Sequence, residues 1–115
     1  MKTILYEVWH FTDIATMDEA YRFPQKAIAR WLHHPEQFVK VAEVEASDLG
    51  HVWEIAQNVN DSWTKRPEVK WSKSHETRST SVGDVVVQNG KAWLVIWEGF
   101  SEIPDRSSKA RTLQG

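Results

Sequence analysis

Residues 85–98 read Val-Val-Val-Gln-Asn-Gly-Lys-Ala-Trp-Leu-Val-Ile-Trp-Glu. Asn-Gly suits the two central positions of a type I′ turn, both of which need positive φ, so residues 85–88 and 91–98 are predicted to form a two-residue hairpin. The sheet is therefore expected to be antiparallel in this region. Trp93, Val95 and Trp97 alternate with Ala92, Leu94 and Ile96, which makes the second strand apolar on both faces. Just before the hairpin, Ser81-Val82-Gly83-Asp84 has the residues of a turn, because Gly tolerates positive φ and Asp bonds its own backbone. Just after it, Gly99-Phe100 opens a short last segment that runs to Pro104.

Toward the N-terminus the same patterns place the remaining elements. Ile4, Tyr6 and Val8 share one face of a strand and Leu5, Trp9 and Phe11 the other, which is the signature of a central strand covered on both sides. A short helical turn near residues 16–21 precedes a helix started by Pro24, a residue suited to a first helical turn. Ala27, Ile28, Trp31 and Leu32 form its apolar stripe, and His33-His34-Pro35 ends it. Residues 38–45 alternate loosely as a second strand. Ser47 or Asp48 can then cap a second helix whose stripe is Leu49, Val52, Ile55, Ala56 and Val59. Residues 60–80 show no sustained period and read as a long loop, a length more often functional than incidental. The expected architecture is α+β: a curved, mainly antiparallel sheet of four to five strands with two main helices packed on it. Residues 1–104 would form a single domain and residues 105–115 a flexible C-terminal tail.

The chain has 115 residues, 41% of them hydrophobic and 26% charged, which suits one globular domain. Folding at this size removes only about 65% of the extended chain's surface, so the seven Trp, four Phe and two Tyr must supply much of the core. With no cysteine, disulfides, thiolate zinc sites and thiol catalysis are excluded. The longest apolar run, residues 92–97, is far below the roughly 20 residues of a membrane span, so the expectation is a cytoplasmic protein that meets no membrane.

The net charge of −2 is unevenly spread. Residues 1–62 carry five Lys and Arg against ten Asp and Glu, whereas residues 63–78 carry five against two. That basic segment interleaves aromatics with cations: Trp63, Lys65, Arg66, Lys70, Trp71, Lys73 and Arg78. Trp and Arg are the residue types that most often anchor protein interfaces, so these seven are the candidate partner-binding residues. The same set could stack on bases and pair with phosphates, which keeps nucleic acid as the alternative partner.

Catalytic constellations are weak. His10, His33, His34, His51 and His75 show no i, i+4 pair on one helix and no companion thiolate, so neither a metal nor any other cofactor is expected. Glu43 and Glu45 share a strand face without a sign of a pocket. His75 with Ser79 is the only conceivable base and nucleophile, and nothing near them matches a Gly-x-Ser-x-Gly elbow or a phosphate-binding loop. The expectation is a protein that is not an enzyme, with an unrecognised hydrolase as a further alternative.

Arg78-Ser79-Thr80-Ser81-Val82-Gly83-Asp84-Val85-Val86-Val87, followed by Asn89-Gly90 and Gly99-Phe100, resembles the R-S-x-S-V-G-D-V hairpin of YodL-like small proteins. Residues 6–11 and 41–49 look similar to the first halves of such proteins. They are carried by plasmids, conjugative elements and phages. The resemblance implies a bacterial mobile genetic element as the setting and assigns no catalytic residue. Small proteins of such elements often bind a host component. The resulting expectation is a non-enzymatic accessory protein that binds a host protein or ribonucleoprotein complex, most readily a defence complex, as an anti-CRISPR or anti-restriction type inhibitor. Acting on the element's own DNA is the alternative. Exposed Trp on so small a domain is compatible with a monomer or a homodimer.

Overall fold

The computed structural model describes residues 2–104. The expected tail at 105–115 lies outside the described residues. Six strands, β1 (Ile4–Phe11), β2 (Phe38–Ala46), β3 (Val69–Ser72), β4 (Val85–Gln88), β5 (Lys91–Ile96) and β6 (Gly99–Ile103), form one sheet in the order β3-β2-β1-β4-β5-β6. Every pairing is antiparallel. Three helices accompany them: α1 (Glu19–Arg22), α2 (Pro24–His33) and α3 (Leu49–Ile55). The α+β class holds, and the sheet has six strands rather than four to five.

The additional strand is β3, inside the stretch expected to be a loop. Its four residues are too few to show a period, and its pairing with β2 is interrupted by a bulge between Glu43 and Val44. Two boundaries also move. β5 stops at Ile96 because Trp97 and Glu98 turn the chain into β6, and α3 stops at Ile55, which leaves Val59 exposed instead of on the stripe. Asn89 and Gly90 have φ of 51° and 79°, as the predicted hairpin turn requires.

Residues that face each other across a ladder share a side of the sheet, so the register sorts the core into two layers. On one side Tyr6, Val8, Ala42, Val44 and Val86 pack with Val52, Ile55 and Ala56 of α3. On the other, Phe11, Phe38, Val85 and Leu94 pack with Ala20 of α1 and with Ala27, Ile28 and Trp31 of α2. Trp31 stands edge-on to both Trp9 and Phe38, with centroids 5.5 and 5.1 Å away. The two helical stripes therefore cover opposite faces, which explains why β1 is apolar in both parities. Among the described residues no helix is long and apolar enough to cross a membrane.

Candidate functional site

The segment 58–80 is built around Asn58. Its Oδ1 accepts from Trp63 N, its Nδ2 donates to Thr77 O, and its backbone N donates to Ser79 Oγ. Trp63 thereby enters the α3 side of the core, fully buried, and its indole N–H donates to Arg78 O at 2.8 Å. Arg78 also turns inward. Its guanidinium grips both carboxylate oxygens of the fully buried Asp84 and donates to Phe11 O.

Asp84 accepts in addition from the backbone N of Phe11 and of Ser81, so each of its oxygens has two donors. His10 completes the group through a 2.9 Å hydrogen bond to Thr80 Oγ1 and lies 3.8 Å from Asp84 Oδ2. Burial pushes the His10 imidazole down to about 4, against the pull of Asp84, and the nearby Arg78 lowers it further. His10 is therefore neutral near pH 7, and its approach to Asp84 is not an ion pair. Residues 78–84 thus clamp the opening of β4 to the end of β1.

The seven candidate partner-binding residues do not converge. Trp63 contacts only the interior, which corrects its reading as an anchor: its large apolar ring is satisfied by the α3-side core and its N–H by Arg78 O. Trp71 lies on β3 opposite Glu43, itself opposite Glu7, and therefore on the other side of the sheet from Trp63. It is 43% exposed, with the Lys40 ammonium over its ring. Lys65 pairs with Asp61 and Lys70 with Glu45, while Arg66 donates to Gln57 O. Lys73 is exposed and holds the edge of β2 through its backbone N–H to Val41 O. The long segment is an ordered wall of the fold with its cations spread along it. Among the described residues no hydrogen bond joins His75 to Ser79: Ser79 Oγ accepts from Asn58 N, and the backbone carbonyl of His75 accepts from Ser62 Oγ.

A different place collects unburied aromatics. Tyr21 on α1, Trp53 on α3, and Trp97 in the β5–β6 turn, joined by Phe100, surround an apolar pocket of about 370 Å3. Val82, Val95 and Ile96 contribute the aliphatic lining, which Gly50 and Gly99 complete. The rings of Tyr21 and Trp97 meet at a tilt of 52°, with centroids 5.8 Å apart. Trp97 is nevertheless 76% exposed, and at about 25 cal/mol per Å2 that leaves roughly 3–5 kcal/mol of burial unused. A second concavity, beside Asn58, Asp61 and His75, is larger and more open, and is lined mainly by polar residues, of which Asn58 and Ser62 hold the loop.

Sequence reasoning missed the pocket because it placed Trp97 in the alternation of β5. The available signals were Gly99, which marks Trp97-Glu98 as a turn, and Trp53, the aromatic of α3 that lies off its buried stripe. Compared with known proteins, the chain matches no family model, no curated protein and no solved structure.

Proposed function

We propose that this chain is a non-enzymatic binding protein that seats an apolar side chain of a protein partner in the pocket between Tyr21, Trp53 and Trp97. The observation that carries the reading is Trp97, an indole held on a tight turn with most of its surface exposed, beside a pocket with an apolar lining. Exposed aromatics around a preformed pocket are the usual form of an interface anchor. Nucleic-acid binding fits less well, because Lys65, Lys70 and Arg78 of the basic segment are already engaged by carboxylates. The finer reading is a cytoplasmic accessory protein of a mobile genetic element whose partner belongs to a host defence complex. It is supported only by the resemblance at residues 78–87.

The test is affinity capture with the tagged chain from a bacterial lysate, run beside Trp53→Ala, Trp97→Ala and Trp71→Ala. A protein retained by the wild type and by Trp71→Ala but lost by both pocket variants supports the pocket. Equal capture by all four chains overturns it. A partner outside any defence system removes the finer reading and leaves the coarser one standing.

A further inference from the structure

The two edges of the sheet differ in how they are protected. β3 is four residues long, bulged against β2, and carries Lys70 with Lys73 directly after it; short length, a bulge and lysines are the devices that discourage another strand from pairing. β6, one residue longer, has neither the bulge nor a lysine. Its five residues, Gly-Phe-Ser-Glu-Ile, pair with β5 in unbroken register, and Pro104 comes only after its last residue. Among the described residues nothing pairs with its outer edge.

The register says which backbone groups that edge presents. Val95 of β5 directs its N–H to Asp84 O, and its carbonyl accepts from Gly83 N, so both groups face β4. Phe100, the β6 residue opposite Val95, therefore occupies a non-hydrogen-bonded position and points its own N–H and C=O away from β5. By the two-residue alternation Glu102 does the same, while Ser101 between them faces Leu94 of β5.

We propose that β6 pairs with β6 of a second copy of this chain, antiparallel and centred on Ser101, joining two sheets into one of twelve strands. This register follows from the outward groups. Phe100 lies opposite Glu102 of the second copy and exchanges two hydrogen bonds with it, and the two-fold axis repeats the exchange, which satisfies every outward N–H and C=O of the two residues. It also suits the charges, because each Glu102 faces a phenyl ring and not the other carboxylate, avoiding the like-charge opposition that destabilises a ladder. Ser101 faces Ser101 across the axis. Gly99 and Phe100 line the aromatic pocket, so pairing places one pocket near each end of the new ladder and makes the assembly bivalent toward a partner.

The chain has no cysteine, so a single introduced thiol reports this register. Opposed residues in a non-hydrogen-bonded antiparallel pair have Cα atoms about 4.5 Å apart, inside the range a disulfide spans. Under mild oxidation Ser101→Cys is expected to become a covalent dimer, and Glu102→Cys, opposite Phe100, to cross-link at least about tenfold more slowly. Glu102→Pro removes an outward N–H without touching the β5 ladder, a position where an edge strand tolerates proline. In sedimentation equilibrium it should weaken dimerisation by about tenfold or more, while circular dichroism stays that of the wild type. A wild-type chain that sediments as a monomer up to millimolar concentration overturns the proposal. Equal cross-linking of the two cysteine variants overturns it as well, and that measurement decides even if Glu102→Pro fails to fold. Trp97→Ala should leave the dimer intact, which separates this result from the fate of the pocket.

Discussion

Arg78 and Asp84 hold each other through two parallel hydrogen bonds, Nη1 to Oδ2 at 2.7 Å and Nη2 to Oδ1 at 2.8 Å, with the carboxylate fully buried. Removing one partner of such a pair leaves the other without compensation. Asp84→Ala strands the guanidinium and also the backbone N–H groups of Phe11 and Ser81, and is expected to cost about 3–5 kcal/mol in urea denaturation. Arg78→Lys keeps the charge and loses the two-pronged geometry, for a smaller loss of about 1–2 kcal/mol. Near-wild-type stability for Asp84→Ala would show that the clamp does not hold β4 to β1.

Trp63 and Trp71 belong to one basic, aromatic segment yet lie on opposite sides of the sheet. Their substitutions should separate accordingly. Trp63→Ala empties a core position and removes the donor to Arg78 O, with an expected loss of about 3–5 kcal/mol. Trp71→Ala, on an edge strand and half exposed, should cost less than about 1 kcal/mol. Thermal denaturation of the two variants side by side checks the contrast, and equal losses would contradict it.

The difference between those two residues also marks what local sequence can show. The Asn89-Gly90 hairpin is legible because its geometry depends on two adjacent residues that accept positive φ. β1 is legible because both of its parities are apolar, and the helices on either side of the sheet show why. β3 is not, since four residues acquire their pairing only from β2, 25 or more positions away in the chain. The inward turn of Trp63 depends on Asn58 and Arg78, neither of which looks structural in a run of polar residues. Clustered charge and aromatics suggested a grip, but three of its five cations, Lys65, Lys70 and Arg78, have carboxylate partners outside the segment, Asp61, Glu45 and Asp84. The pocket is assembled from three separate elements, and only its individual exposed aromatics leave a trace in the sequence.

His10 gives the fold an acid limit. Its imidazole titrates near about 4 when folded, against 6.5 for the ordinary group, because burial disfavours the charged form. The unfolded chain therefore takes up the proton first. Stability should be unaffected by this group above about pH 7, fall as the pH drops through 6.5, and level off below about 4, with a total contribution of about 3 kcal/mol. Urea denaturation at intervals from pH 7 to pH 4 measures the slope. His10→Gln retains a hydrogen-bonding side chain but cannot titrate, so its profile should be flatter by that amount; an unchanged slope would assign the acid sensitivity to other groups.

Trp97 should behave in the opposite way to Trp63. It sits in a turn, 76% exposed, with the Tyr21 ring 5.8 Å away. Because so little of its surface is buried in the free chain, Trp97→Ala is expected to change stability by no more than about 0.5–1 kcal/mol. An anchor gains its burial only in the complex, so the same substitution should weaken partner binding by about 2 kcal/mol or more, a drop of some thirtyfold in affinity. Calorimetric titration of a captured partner, set beside the melting temperatures of the two chains, reads both quantities. A variant that melts far below the wild type and binds with undiminished affinity would make Trp97 a part of the scaffold and move the interface elsewhere.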